Sequence, residues 1–266
     1  MSARLLPVSV VEKPWGREAL PVQFGVAPGS PIGEVWFEPP PEMPGLLIKY
    51  LFTSERLSVQ VHPDDEQAEA AGLGRKGKEE CWLVLDAEPG AQIGLGFRRD
   101  YALEDIRQGA LDGAIVNMLA WQDVTPGDFI YVPAGTVHAI GAGLTLVEIQ
   151  QTSDITYRLY DYGRPRELHL DAGLAVTTPG SHDPALRREA TPGRLVDGPY
   201  FTLDLMDGGG ETSGPALVVP LSGEVVVQGI SARAGQCLFV SEAAALEAEG
   251  GARYLVARSS GDKETI

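Results

Sequence analysis

The chain has 266 residues, 44% of them hydrophobic, which is enough for a packed core in one large β domain or two modest ones. With 37 acidic against 21 basic side chains its net charge is −16, which argues against nucleic acid and anionic membrane surfaces as partners. An anionic small molecule stays open, because a local basic pocket can form on an acidic surface.

In chain order, residues 5–20 predict a short strand followed by a Pro14-Trp15-Gly16 turn. Residues 32–37 read as a strand, stopped by Pro39-Pro40-Pro41 because proline cannot donate to a sheet ladder. Residues 46–52 make an apolar strand with one charge, Lys49, either an edge residue or a buried charge with a purpose. Gln60 and His62 follow, two positions apart; on a strand that spacing puts both side chains on one face. Pro63 and Asp64 open a short helix over 64–71, with acidic groups against the positive end of its dipole, and Gly72-Leu73-Gly74 stops it. Strands are expected at 80–86 and 91–97, across the Glu88-Pro89-Gly90 turn. Residues 101–123 read as helix from the spacing of Leu103, Ile106, Leu111, Ile115 and Leu119. Strands return at 129–132, 144–151 and 156–160.

Residues 179–190 turn polar and proline-rich, so a boundary is set there, giving domains 1–180 and 181–266. Beyond it come short strands at 201–205, 216–220, 224–227, 236–240 and 254–257. Segments 124–133 and 231–240 repeat loosely, each with a glycine before an apolar strand, and the second copy continues without a histidine. The pattern predicts a duplicated β-barrel whose second copy has no metal site. Cys81 and Cys237 lie far apart, so a reduced, cytoplasmic setting is expected. No apolar run suits a signal peptide or a membrane span.

The histidines are His62, His138, His169 and His182. The first two stand in apolar strands beside turn glycines, the others in polar company. One buried histidine alone is more often a satisfied core residue than a ligand. A carboxamide and an imidazole on one strand face, with a second histidine presented by a turn downstream, are candidate ligands for a divalent metal.

Segment 127–138 reads Gly-x5-Pro-x-Gly-x2-His and resembles the second cupin motif, although Ala142 stands where an asparagine is usual. The first cupin motif is altered to Gln60-x-His62, an insertion, then Glu80. With Lys13-Pro14-Trp15-Gly16, Ile32-Gly33-Glu34-Val35-Trp36, Gly77-Lys78-Glu79-Glu80-Cys81-Trp82 and the block from Glu148 to Tyr162, the chain resembles type I mannose-6-phosphate isomerases of the short bacterial form. The resemblance implies a mainly β fold of two cupin-like barrels, or jelly rolls, with a few short helices inserted in the first. It implies one zinc per chain on Gln60, His62, Glu80 and His138, with Glu80 rather than Glu79 as the carboxylate. It implies Arg158, Lys78 and Glu148 as catalytic residues, and Ser58, Lys78 and Arg158 at the substrate. The implied reaction interconverts mannose 6-phosphate and fructose 6-phosphate through an enediol. A non-catalytic sugar-binding cupin and another metal-dependent sugar-phosphate isomerase are the alternatives.

From the residues alone, Arg158 beside Tyr157 and Tyr160 also suits a surface ring stack, Glu148 an outward solvated position, and Lys78 a loop charge. Asp64 and Asp65 read as helix caps, and Trp15 and Trp36 as packing. Trp82 shares strand parity with Glu80 and so is expected to wall the site.

Overall fold

The computed structural model describes residues 3–248 and 251–260; residues 261–266 of the expected second domain lie outside the described residues. The fold is mainly β, as expected, with four antiparallel sheets in two face-to-face pairs. Each jelly-roll unit is a sandwich of two open sheets rather than a closed barrel.

In the first sandwich a seven-stranded sheet runs Arg187–Glu189, Asp128–Val132, Glu80–Ala87, Leu144–Gln151, Leu46–Phe52, Ile32–Phe37, Val8–Arg17. It faces a five-stranded sheet of Tyr157–Tyr160, Val59–Val61, His138–Ile140, Gln92–Phe97 and Leu119–Asp123. Between them lie Leu51, Trp82, Val84, Ile93, Leu95 and Ile130. The second sandwich pairs a six-stranded with a four-stranded sheet around Val218, Val225, Leu238, Leu246 and Val256.

The inner strands of the seven-stranded sheet are buried on both faces. Its outer side chains, Phe37, Ile48, Tyr50, Leu83, Phe129 and Ile149 among them, share a core with Phe201, Leu203, Leu217, Phe239 and Leu255 of the six-stranded sheet. The second sandwich thus covers the apolar back of the first. Helices Leu103–Asp112, Ile115–Met118 and Leu170–Val176 cover the outer face of the five-stranded sheet. The layers therefore stack as helices, five, seven, six and four strands. Pairing crosses position 180 both ways: Ala3–Leu5 joins Leu238–Val240, and Arg187–Glu189 joins Asp128–Val132.

Two local expectations are corrected. The helix expected over 101–123 ends at Gly113, whose φ of +83° takes the chain out of the right-handed region, and Leu119–Asp123 pairs as a strand with Gln92–Phe97. Pro14-Trp15-Gly16 lies within the long edge strand Val8–Arg17, where Glu12 and Arg17 both oppose Ile32. The intervening residues leave the ladder as a bulge, which is where a strand tolerates proline. The short helix Asp65–Ala70 forms as expected, with Asp64 and Gln67 in a reciprocal capping box. Cys81 and Cys237 are free and buried. Among the described residues no helix is long and apolar enough to cross a membrane.

Candidate metal centre

The two facing sheets of the first sandwich bring Gln60, His62, Glu80 and His138 to one point. His138 opens its strand directly opposite Gln60, and opposed residues of an antiparallel pair share a face. His62 follows Gln60 by two and presents to the same side. Glu80 opens the Glu80–Ala87 strand of the opposite sheet. One ligand atom from each of His62, Glu80 and His138 lies within 4.8 Å of the others, and all three side chains are buried. Glu80 Oε1 stands 3.3 Å from His138 Nε2, and Oε2 3.7 Å from His62 Nε2. Trp82 packs edge-on against His138, its centroid 5.3 Å from the imidazole.

Each imidazole turns Nδ1 to a backbone carbonyl, His62 to Ile155 at 2.8 Å and His138 to Thr136 at 2.9 Å. A carbonyl only accepts, so Nδ1 carries the proton and the Nε2 lone pair faces Glu80. Backbone anchoring of one nitrogen is how a metal-ligating imidazole is oriented. Burial holds both histidines below their ordinary pKa, and Lys78 adds to this at His62, so both are neutral. The Gln60 carboxamide donates to His138 Nε2 at 3.2 Å and accepts from Ser58 Oγ at 3.1 Å. A hydroxyl donates and accepts, so Ser58 can hold that amide with either end turned inward.

The insertion between His62 and Glu80 is pinched at its base. Lys78 N donates to the Pro63 carbonyl at 2.9 Å, and Gly77 N to Asp65 Oδ1 at 2.7 Å. A Cβ on Gly77 would stand 2.3 Å from the Asp64 carbonyl carbon, so only glycine fits. Glu79 is turned elsewhere, accepting a hydrogen bond from Tyr131, which leaves Glu80 as the carboxylate beside the histidines.

Charges alternate from the surface to this point. Lys13 Nζ meets Glu34 at 3.1 Å, and Lys49 Nζ lies 3.5 Å from Glu34 and 3.3 Å from Glu148. Lys78 Nζ lies 3.4 Å from Glu148, 2.7 Å from Glu80 and 3.3 Å from His62 Nε2. Glu148 is buried, not solvated, and Lys49 is a buried charge rather than an edge residue. Burial would raise the Glu80 carboxyl, but Lys78 and His138 outweigh it and lower its pKa to about 2. Burial and the neighbouring Glu80 charge push the Glu148 carboxyl up. Two adjacent carboxyls driven apart in this way can divide the roles of fixed anion and proton carrier.

Arg158 lies opposite Gln60 on the other side, so His138, Gln60 and Arg158 form one cross-strand row. Its Nη1 donates to the Glu167 carbonyl at 2.8 Å and its backbone N–H to His169 Nδ1 at 3.2 Å, and among the described residues it makes no hydrogen bond or ion pair with Glu80, His62 or His138. Arg164 and Arg166 stand near it, both bound to Asp161. The ring stack weighed for Arg158 is made by Arg164, over Tyr162. On the Lys49 side of Glu148 a cavity of about 100 Å³ is lined by Trp36, Leu47, Lys49, Gln150, Thr152 and Asp154. Gln150 Oε1 and Thr152 Oγ1 are buried there without partners. Glu34 is not among the residues the sequence selects, though it carries the signal Lys49 carries: one charge inside an apolar strand.

No family model matches the sequence. A mannose-6-phosphate isomerase from Streptococcus mutans is 37% identical over 227 residues, covering 74% of this chain and 69% of the relative. The mannose-6-phosphate isomerase ManA of Bacillus subtilis is 45% identical over 140 residues, 49% of this chain and 43% of that relative, so the match spans under half of it. Among solved structures, a Bacillus subtilis mannose 6-phosphate isomerase superposes with a TM-score of 0.81 at 24% identity, over 97% of this chain and 100% of that one. A zinc-bound mannose 6-phosphate isomerase gives 0.76 at 15% identity, over 97% of this chain and 100% of that one. The structural likenesses establish the fold; the sequence match across most of the Streptococcus relative goes further, and by it this chain belongs to the mannose-6-phosphate isomerase family.

Proposed function

We propose that the chain is a zinc-dependent aldose–ketose isomerase that interconverts mannose 6-phosphate and fructose 6-phosphate. The observation that carries this reading is the convergence of the His62 and His138 lone pairs on Glu80, with Lys78 against the same carboxylate. The donor set suits the ion: two neutral imidazoles on backbone anchors, one carboxylate held ionised, and one carboxamide hinged on Ser58. Gln60, His62, Glu80 and His138 would hold one zinc, which when bound supplies Lewis-acid polarisation of a sugar oxygen.

The rest falls to the chain's own side chains. Moving the carbonyl from C1 to C2 needs a base for the carbon-bound proton and a stabiliser for the enediolate oxygens. Glu148, with its carboxyl pushed up, takes the proton from C2 and returns it to C1. Lys78, in contact with both carboxylates, gives a proton to O1 as charge develops there and takes one from the O2 hydroxyl, so that one proton passes from O2 to O1 while another passes from C2 to C1. Arg158, beside Arg164 and Arg166, supplies a guanidinium for the phosphate, whose geometry it matches with paired donors. Ser58 acts through Gln60, whose amide it holds. The cavity at Trp36 and Lys49 gives the hexose a ring face and polar partners.

A coupled assay from mannose 6-phosphate to fructose 6-phosphate tests the reading, run before chelation, after chelation and after zinc is restored. Turnover that follows zinc, and is lost with bound metal in His138→Ala, supports it. Full turnover in chelator-stripped protein would overturn it.

A further inference from the structure

Two blocks of the sequence have no task once the metal centre is built: Lys13-Pro14-Trp15-Gly16 and Ile32-Gly33-Glu34-Val35-Trp36. In the fold they are one unit. A Cβ on Gly16 would stand 2.4 Å from the Ile32 carbonyl carbon, and one on Gly33 would stand 2.5 Å from Lys13 Cβ and 2.8 Å from the Trp15 ring. Each block carries glycine where the other crosses it, and the crossing lays Lys13 onto Glu34. Glu34 is only 5% exposed. Its Oε2 accepts from Trp36 Nε1 at 3.0 Å and faces Lys13 Nζ at 3.1 Å, while Oε1 faces Lys49 Nζ at 3.5 Å. Trp36 and Lys49 both line the cavity beside Glu148, with the ammonium 5.6 Å from the ring centroid.

We infer that Glu34, braced by Lys13, is a positioning residue that sets substrate affinity by fixing the Trp36 indole and the Lys49 ammonium as one wall of that cavity. The inference rests on the isomerase reading of the cavity. Among the described contacts Glu34 touches no proposed metal ligand; it reaches the cavity through Trp36 and Lys49, and acts on Glu148 by charge alone, without contact. Without its charge, Lys49 keeps Glu148 as its near anion and is drawn off the wall. Without its acceptor oxygen, the Trp36 indole loses the bond that selects its rotamer. Both changes remove binding shared by the ground and transition states, which appears in KM before kcat.

Steady-state kinetics on the zinc-loaded full chain test this. Glu34→Gln is expected to raise KM for mannose 6-phosphate about tenfold or more with kcat held within about threefold, and Glu34→Asp to recover part of the loss. Lys13→Met, at a side chain 31% exposed and so of little risk to folding, is expected to raise KM about threefold. Zinc content stays at the wild-type value in all three. Unchanged KM in Lys13→Met and Glu34→Gln overturns the inference, as does a joint loss of kcat and zinc; if Glu34→Gln does not fold, Lys13→Met decides. A wild-type chain without turnover would instead overturn the isomerase reading. The positioning role is then read from hydrogen exchange of the Trp36 indole N–H, assigned with Trp36→Phe: faster exchange in Glu34→Ala supports it, and an unchanged rate overturns it.

Discussion

Glu79 and Glu80 are adjacent in sequence but have opposite tasks, and replacing each by glutamine separates them. In Glu80→Gln the carboxylate that meets Lys78 at 2.7 Å becomes a neutral amide while the ammonium stays buried. Breaking a buried ion pair from one side costs about 3–5 kcal/mol. Lys78 keeps Glu148 at 3.4 Å, which places the expected cost at the lower end, about 3 kcal/mol. A chain of this size loses roughly 2–4 °C per kcal/mol, so the metal-free variant is expected to melt about 6–12 °C below wild type. Glu79→Gln keeps an acceptor for Tyr131 and costs at most about 1 kcal/mol, a few degrees. Zinc is expected to widen the gap, since an ion at 1,000 times its Kd adds about 4 kcal/mol to whatever binds it. Calorimetry of chelator-stripped and zinc-loaded samples reads both effects. An equal rise in Tm on zinc addition for Glu80→Gln and wild type would refute the assignment, and so would a larger metal-free loss in Glu79→Gln.

The metal-free protein is expected to lose stability as pH falls through 6.5, the ordinary histidine value, because His62 and His138 titrate below it when folded. The unfolded chain then binds protons the folded chain refuses, at about 1.4 kcal/mol per proton per pH unit. Glu148, raised above 4.5, acts in the opposite sense, so a net slope of about 1–3 kcal/mol per unit is expected just below that point, and flat urea midpoints would refute it. Ser58→Ala, which frees the Gln60 amide, is expected to weaken zinc binding about 10–100-fold in chelator competition. Gly77→Ala drives a Cβ into the Asp64 backbone and is expected to cost over about 2 kcal/mol in urea unfolding and to release zinc.

The residues of the candidate metal centre were the most readable part of the sequence. Gln60 stands on the short strand Val59–Val61 and His62 directly after its end, two positions on, and Pro133 and Gly135 mark the turn before His138. Lys49 and Glu148 were less readable because their strands, Leu46–Phe52 and Leu144–Gln151, are buried along their whole length. Sheets pack on both sides of them, so no alternation between polar and apolar residues tells inward from outward. Leu119 continued the helical spacing by coincidence; Gly113 had already ended the helix, and the ladder with Gln92–Phe97 decided the rest. The union of Ala3–Leu5 with Leu238–Val240 joins opposite ends of the chain and has no local signal at all.

The stem of the insertion is stapled where Pro63 meets Lys78 and Asp65 meets Gly77. Beyond those staples the tip turns through Gly72 and Gly74, both with positive φ, and holds Leu73 half in solvent. The tip is mechanically isolated from His62 and Glu80 at its root. New sequence spliced there, a tag or a whole module, would be carried outboard while the chemistry beneath it stayed in register.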